Sequence, residues 1–406
     1  MNIQAWMKVV QVGRPVARCQ GPHLKGLGVL AFAVASTSIL SMPYFTRQRF
    51  VFNLLKRWGP MLWGWAWVVF CGPAHATDFQ VGMREWPASG QRGPVTVFYP
   101  TRQPDREVAR DSFLLRVAPD APVARGNGYL IVFSHGSAAN PWVSSDLAKV
   151  LVQAGFVVAV PEHAGDNTRD FSQAGPDSWK KRPQEITAAL DAVLHDPDFA
   201  RMVDPRKVGV YGGSAGGHTV LTLAGGRWSP ARFAAHCRAH IQQDFAACAG
   251  FTTRLSGNWL DRPKQWVIQK VLNFRFSDPT SFGHEDKRIA AAVAEVPYAA
   301  DFDPDTLRQP RMPLGLVLAG RDVMLVPQFH GDVVRKLCAG CEVLADLPLA
   351  GHGVMLSPLP PLGPNDSLFK QLLGDPPGFD RETTVSGVHL SIARFFTKHL
   401  VGHSGK

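Results

Sequence analysis

Apolar positions cluster in short runs that stop at a glycine or a polar turn, and these runs alternate with stretches of helical period. Tyr129–Phe133, Arg206–Tyr211, Ala290–Val296, Pro313–Gly320 and Cys341–Leu347 read as buried strands. Asp146–Ala154, Pro183–His195 and the small, apolar Thr219–Ala224 read as helices between them. Alternation of this kind predicts an α/β fold with a doubly wound, mostly parallel sheet, whose sites lie where strands end at one edge. From residue 77 to 406 the pattern shows no repeat or low-complexity tract, so one large domain is expected, interrupted at Gly225–Lys287 by a long insertion.

The chemistry concentrates at the ends of those runs. Val210-Tyr-Gly-Gly-Ser-Ala-Gly-Gly-His218 takes a strand into a helix through Gly-x-Ser-x-Gly. In that turn a serine occupies a strained corner, and glycines at 212 and 216 let strand and helix pass. Ser214 is therefore the expected nucleophile. A serine hydroxyl needs an adjacent imidazole to take its proton, and the imidazole needs a carboxylate to fix its tautomer. His352, in Leu349-Ala-Gly-His-Gly353, is the expected base, and Asp322, just after the run at 313–320, the expected acid. Asp301 and Asp303 are rival acids behind the run at 290–296. Phe133-Ser-His-Gly-Ser137 ends another strand where acyl transfer needs backbone donors, so the amides of Ser137 and Ala215 are the expected oxyanion hole, with His135 bracing the loop.

This ordered set resembles the α/β-hydrolase fold. More narrowly, Val95–Pro100, Phe133–Ser137 and Ala154–Thr168 resemble bacterial dienelactone-hydrolase-like proteins related to platelet-activating-factor acetylhydrolases, over about residues 80 to 400. Dienelactone hydrolases proper use a cysteine nucleophile where this chain has serine. The resemblance implies a serine carboxylic-ester hydrolase that works through an acyl-enzyme on short-chain acyl esters or acetylated phospholipids, with no metal and no organic cofactor. A serine peptidase or acyltransferase, or a non-catalytic binding protein, are the alternatives on the same fold. The insertion 225–287 is expected to be a cap or lid, and Trp228, Trp259, Trp266, Phe274 and Phe276 are expected to fill a small core of its own ahead of binding an acyl chain.

Charge changes the picture only at the amino terminus. Residues 1–76 hold eight Lys or Arg and no Asp or Glu, which leaves +2 of the formal +10 to the other residues. Nucleic acid is thus not an expected partner despite the basic total; a small-molecule or lipid ester is, and transient membrane contact stays open. Arg47–Arg57, then Met61–Phe70, then Ala74-His-Ala76 read as basic segment, apolar segment and cleavage site, predicting a leader over 1–76, cleavage after Ala76 and a periplasmic or secreted protein. Translation starting at Met42, or an anchor formed by the apolar run Leu27–Tyr44, are the other readings of this region. Export would leave Cys237, Cys248, Cys338 and Cys341 in an oxidising compartment. Sequence proximity suggests Cys237–Cys248 and Cys338–Cys341 among three pairings, while Cys-Ala-Gly-Cys also allows a redox or zinc motif.

Overall fold

The strands at the centre of the molecule are the ones whose residues are apolar on both faces. A computed structural model describes residues 79–402 apart from 91, 362, 364 and 365; the leader and the cleavage site at Ala76 lie outside the described residues. Within them one sheet contains β1 (Gln80–Trp86), β2 (Val95–Thr101), β3 (Arg106–Arg110), β4 (Phe113–Pro119), β5 (Leu130–Ser134), β6 (Val157–Pro161), β7 (Val208–Gly213), β8 (Ile289–Glu295), β9 (Leu314–Ala319) and β10 (Glu342–Leu347). Their spatial order is β10-β9-β8-β7-β5-β6-β2-β1-β4-β3. The six from β10 to β6 run parallel; β2 joins β6 antiparallel, and β1 joins β2 antiparallel. Parallel strands need cover on both faces, which is why β5, β6, β7 and β9 carry unbroken buried runs.

Period two divides those runs between two cores. Leu130, Val132, Val208 and Val210 face α2 (Arg182–His195) and α3 (Ala215–Leu223), after α1 (Ser145–Gln153) in the chain. Ile131, Phe133 and Tyr211 share the opposite core with Leu147 and Leu151 of α1 and with Val388 and Ile392 of the carboxyl-terminal helix Arg381–Phe396.

The insertion holds α4 (Pro230–His240), α5 (Phe245–Ala249) and α6 (Asp261–Arg275). Helix α4 starts cleanly because Ser229 accepts the Arg232 amide and Pro230 follows it. Trp228 and Phe276 are buried, yet in the main core rather than a separate one. Trp259, Trp266 and Phe274 depart from expectation: they are 80%, 61% and 91% exposed. Hydrophobic composition reports that a residue is apolar and says nothing about which side of a helix it occupies.

The register aligns the site. Ser134 lies opposite Gly212, and Gly213 opposite Glu295, so β5, β7 and β8 end level with one another. Loops leaving this edge carry Ser137 and Ser214, and those after β9 and β10 carry Asp322 and His352.

Candidate active site

Ser214 has φ 56° and ψ −118°, a backbone conformation that side chains disfavour. The turn holds it there: its amide donates to the Glu295 carbonyl at 3.0 Å, and its carbonyl accepts from Tyr298 at 3.2 Å and His218 at 3.0 Å. A Cβ on Gly216 would meet the Ser134 carbonyl oxygen at 1.8 Å, and one on Gly212 would meet the Gly216 oxygen at 2.3 Å. The two glycines predicted to permit the corner are thus sterically required by it.

His352 opens a short helical turn behind β10 and points Nε2 at Ser214 Oγ, 2.9 Å away, while Nδ1 lies 2.6 Å from Asp322 Oδ2. Asp322 Oδ1 accepts the Met324 and Leu325 amides at 2.8 and 2.7 Å. Asp322 Oδ2 accepts a hydrogen bond from Nδ1–H, which fixes the proton on Nδ1 and leaves the Nε2 lone pair facing the serine hydroxyl. The imidazole is sited by a residue that sequence reasoning missed: Arg381 donates to the Gly353 and Leu356 carbonyls at 2.8 and 2.7 Å and pins the turn that carries His352. The rival acids stand apart. Asp301 is buried against His218 at 3.2 Å, and Asp303 caps the turn at Pro304.

The loop after β5 is held from beneath. Ala138 sits at φ 53° and donates its amide to Asp166 Oδ1 at 3.0 Å; the Ser137 hydroxyl donates to Asp166 Oδ2 at 3.1 Å. Arg182, wholly buried, donates to the same Oδ2 at 2.7 Å and to the His135 carbonyl. Burial alone would raise the Asp166 carboxyl, but the charge and hydrogen bonds of Arg182, with the Ala138 amide, outweigh it and hold the group below its ordinary range. His135 Nε2 accepts the His163 amide at 3.2 Å, and His163 spans Ser134 Oγ at 2.8 Å and Glu185 at 2.6 Å. Burial and the nearby Arg182 charge push His163 well below the usual range, so it is a neutral strut. Neither the Ser137 amide nor the Ala215 amide has a protein acceptor among the described residues. The Gly136 α-carbon beside them lies where an added Cβ would be 3.6 Å from Ser214 Cβ.

Comparisons with known proteins bear on the fold that carries this arrangement. The prolyl oligopeptidase family model, Peptidase_S9, matches residues 141–266, which include Ser214. A solved structure, a ferulic acid esterase from Streptomyces cinnamoneus, is similar at 17% identity with a TM-score of 0.51, covering 82% of this chain and 94% of that one. The chain has the α/β-hydrolase fold. No curated protein matches the sequence. Fold and hydrogen-bonded Ser-His-Asp set together are those of a serine hydrolase.

Glu295, whose backbone carbonyl accepts the Ser214 amide, brings a second buried acid to this region. The Glu295 carboxyl is buried and accepts the Tyr211 hydroxyl at 2.6 Å. Burial pushes it up to about 7, against the opposing pull of that hydrogen bond and of Arg381 and His352. An unfolded glutamate ionises near 4.5, so the folded state keeps a proton that the unfolded state gives up between about pH 4.5 and 7. Stability therefore falls as pH rises through that window and levels off above it, by about 3 kcal/mol in total. Glu295→Gln is expected to unfold at a higher denaturant concentration than the wild type, by a margin that widens from about pH 5 to about pH 8. A pH-independent margin would remove Glu295 from this role.

Asp244, beyond α4, forms a further hub. Its Oδ2 accepts from His236 and His330 Nε2 at 2.8 Å each, and its Oδ1 accepts the Val326 amide at 3.2 Å. These bonds overcome the effect of burial and keep the carboxyl at about 2. His236, Asp244 and His330 bring ligand-type atoms within 4.8 Å of one another. The hydrogen bonding does not fit an ion, because His330 Nδ1 accepts the Ala299 amide at 3.1 Å, so Nε2 carries the proton where a metal would need a lone pair.

Proposed function

We propose that this serine hydrolase is a carboxylic-ester hydrolase acting on short-chain acyl esters through an acyl-enzyme on Ser214. The observation that carries the reading is the relay from Ser214 Oγ to His352 Nε2 at 2.9 Å and from Nδ1 to Asp322 at 2.6 Å. Ser214 Oγ attacks the ester carbonyl carbon while Nε2 takes its proton; Asp322 stabilises the resulting imidazolium without receiving the proton. The carbonyl oxygen gains the negative charge and accepts the Ser137 and Ala215 amides. Collapse breaks the bond to the alcohol oxygen, which leaves with the proton from Nε2. Water then repeats the sequence on the acyl-serine, releasing the acid and restoring the free hydroxyl.

The esterase named among similar structures supports an ester over an amide. The Peptidase_S9 match supports the second reading, a peptidase, though it stops short of Asp322 and His352. An exported protein is in keeping with the disulfides Cys237–Cys248 and Cys338–Cys341, the pairing that sequence proximity suggests. The deciding experiment gives the protein p-nitrophenyl acetate and butyrate beside the matched p-nitroanilides and a prolyl anilide. Turnover of the esters with anilides at the background rate is the expected result. Prolyl anilide cleavage at a rate comparable to the ester would establish a peptidase instead.

A further inference from the structure

Helix α6 carries apolar side chains on its outer side as well as its inner one. Ile268 and Leu272, four residues apart, pack against the core. On the other side Trp266, Lys270 and Phe274 form one ridge at spacings of four, and Val267 and Val271, both about half exposed, form the next. Trp259 and the partly exposed Leu260 extend the patch past the helix start. The three aromatic rings alone present on the order of 500 Å² of apolar surface, close to the largest patch an ordinary monomer shows.

The charge around the patch has one sign. From Thr252 to Phe276 there are five Lys or Arg and a single acid, Asp261. That acid is spent internally, accepting the Ser256 and Gly257 amides and Lys264. Arg275 pairs with Asp177, whereas Arg262 and Lys270 have no acidic partner among the described residues; Lys270 lies 5.8 Å from the Trp266 ring centroid. A second copy laid on this face would bring Arg262 and Lys270 against their equals. An anionic surface would meet both cations favourably while taking up the rings, the combination that seats amphipathic helices at a lipid boundary.

We infer that Trp259, Trp266, Val267, Val271 and Phe274, with Arg262 and Lys270, form a docking surface for anionic phospholipid. The inference is independent of the reaction carried out at Ser214. It is tested with the full chain by co-sedimentation with vesicles containing about one third phosphatidylglycerol, and with vesicles of phosphatidylcholine alone. Three proteins are compared: wild type, W266S/F274S and R262E/K270E. All share residues 1–78, so a difference between them reports the helix. Because the replaced side chains are exposed, unchanged circular dichroism is expected for both variants.

Wild type should partition to the anionic vesicles about 30-fold more strongly than to the neutral ones. R262E/K270E should lose that preference, and W266S/F274S should bind both kinds more weakly. Equal binding of all three proteins to anionic vesicles would overturn the assignment. So would wild-type self-association in the ultracentrifuge that W266S/F274S abolishes, since the patch would then be an interface between copies of the chain. Should one variant fail to fold, the other still decides between these outcomes.

Discussion

Ser214→Ala is expected to lower kcat by about 10⁶-fold while leaving the unfolding midpoint near that of the wild type. The size follows from the mechanism: the hydroxyl is the only atom that forms the covalent bond, and His352 and Asp322 have no function toward the ester without it. Adding His352→Ala to Ser214→Ala should therefore cost almost nothing more, because the three act as one unit. Stability is spared because alanine keeps the positive φ that Ser214 already tolerates, and the glycines that make room for the turn are untouched. The check is ester turnover together with mass labelling by a fluorophosphonate, where one adduct on wild type and none on Ser214→Ala is the expected pair. A label retained on the variant would move the nucleophile elsewhere.

Arg182→Met should show the largest loss of stability, about 3–5 kcal/mol at neutral pH, because it strands Asp166 as an unpaired charge with no access to water. Most of the loss should return in Arg182→Met/Asp166→Leu, where neither charge is left buried. Turnover should behave differently. Asp166 holds the Ala138 amide and the Ser137 hydroxyl, so the double variant should regain its fold yet keep kcat down by roughly 10²-fold with KM little changed, the signature of a misplaced oxyanion donor. Denaturant unfolding and steady-state kinetics on the same three proteins separate the two effects. A double variant with wild-type kcat would show that the pair supports the fold alone.

Arg182 also marks where reading the chain stops working. The strands and the residues at their ends were legible because an apolar run followed by Gly-x-Ser-x-Gly, Gly-Arg-Asp or Gly-His-Gly has few alternatives. The carboxylate under the oxyanion loop was not. An arginine opening a helix is ordinarily solvated, and nothing in its neighbours says that it will be sealed beneath a loop more than forty residues away. Asp166 stood in a segment noted for its resemblance, but its role needed the fold to bring it under Ser137. Strands β1, β3 and β4 escaped for a different reason. Arg106–Arg110 at the sheet edge is mostly exposed and charged, as edges that must avoid pairing tend to be, and so lacks the apolar alternation that identifies a strand. The helix at Arg381–Phe396, whose first residue fixes the His352 turn, interleaves Thr, Ser and Gly with its buried residues and gives only a weak periodic signal.

Asp244 belongs to the insertion, while Val326 and His330, which donate to it, belong to the segment that leaves Asp322. Swinging the insertion aside would strip a buried carboxylate of those donors together, at a cost of several kcal/mol. At Asp244, therefore, the insertion is tied into the body of the domain, and that part of it cannot swing away without breaking a buried charge network.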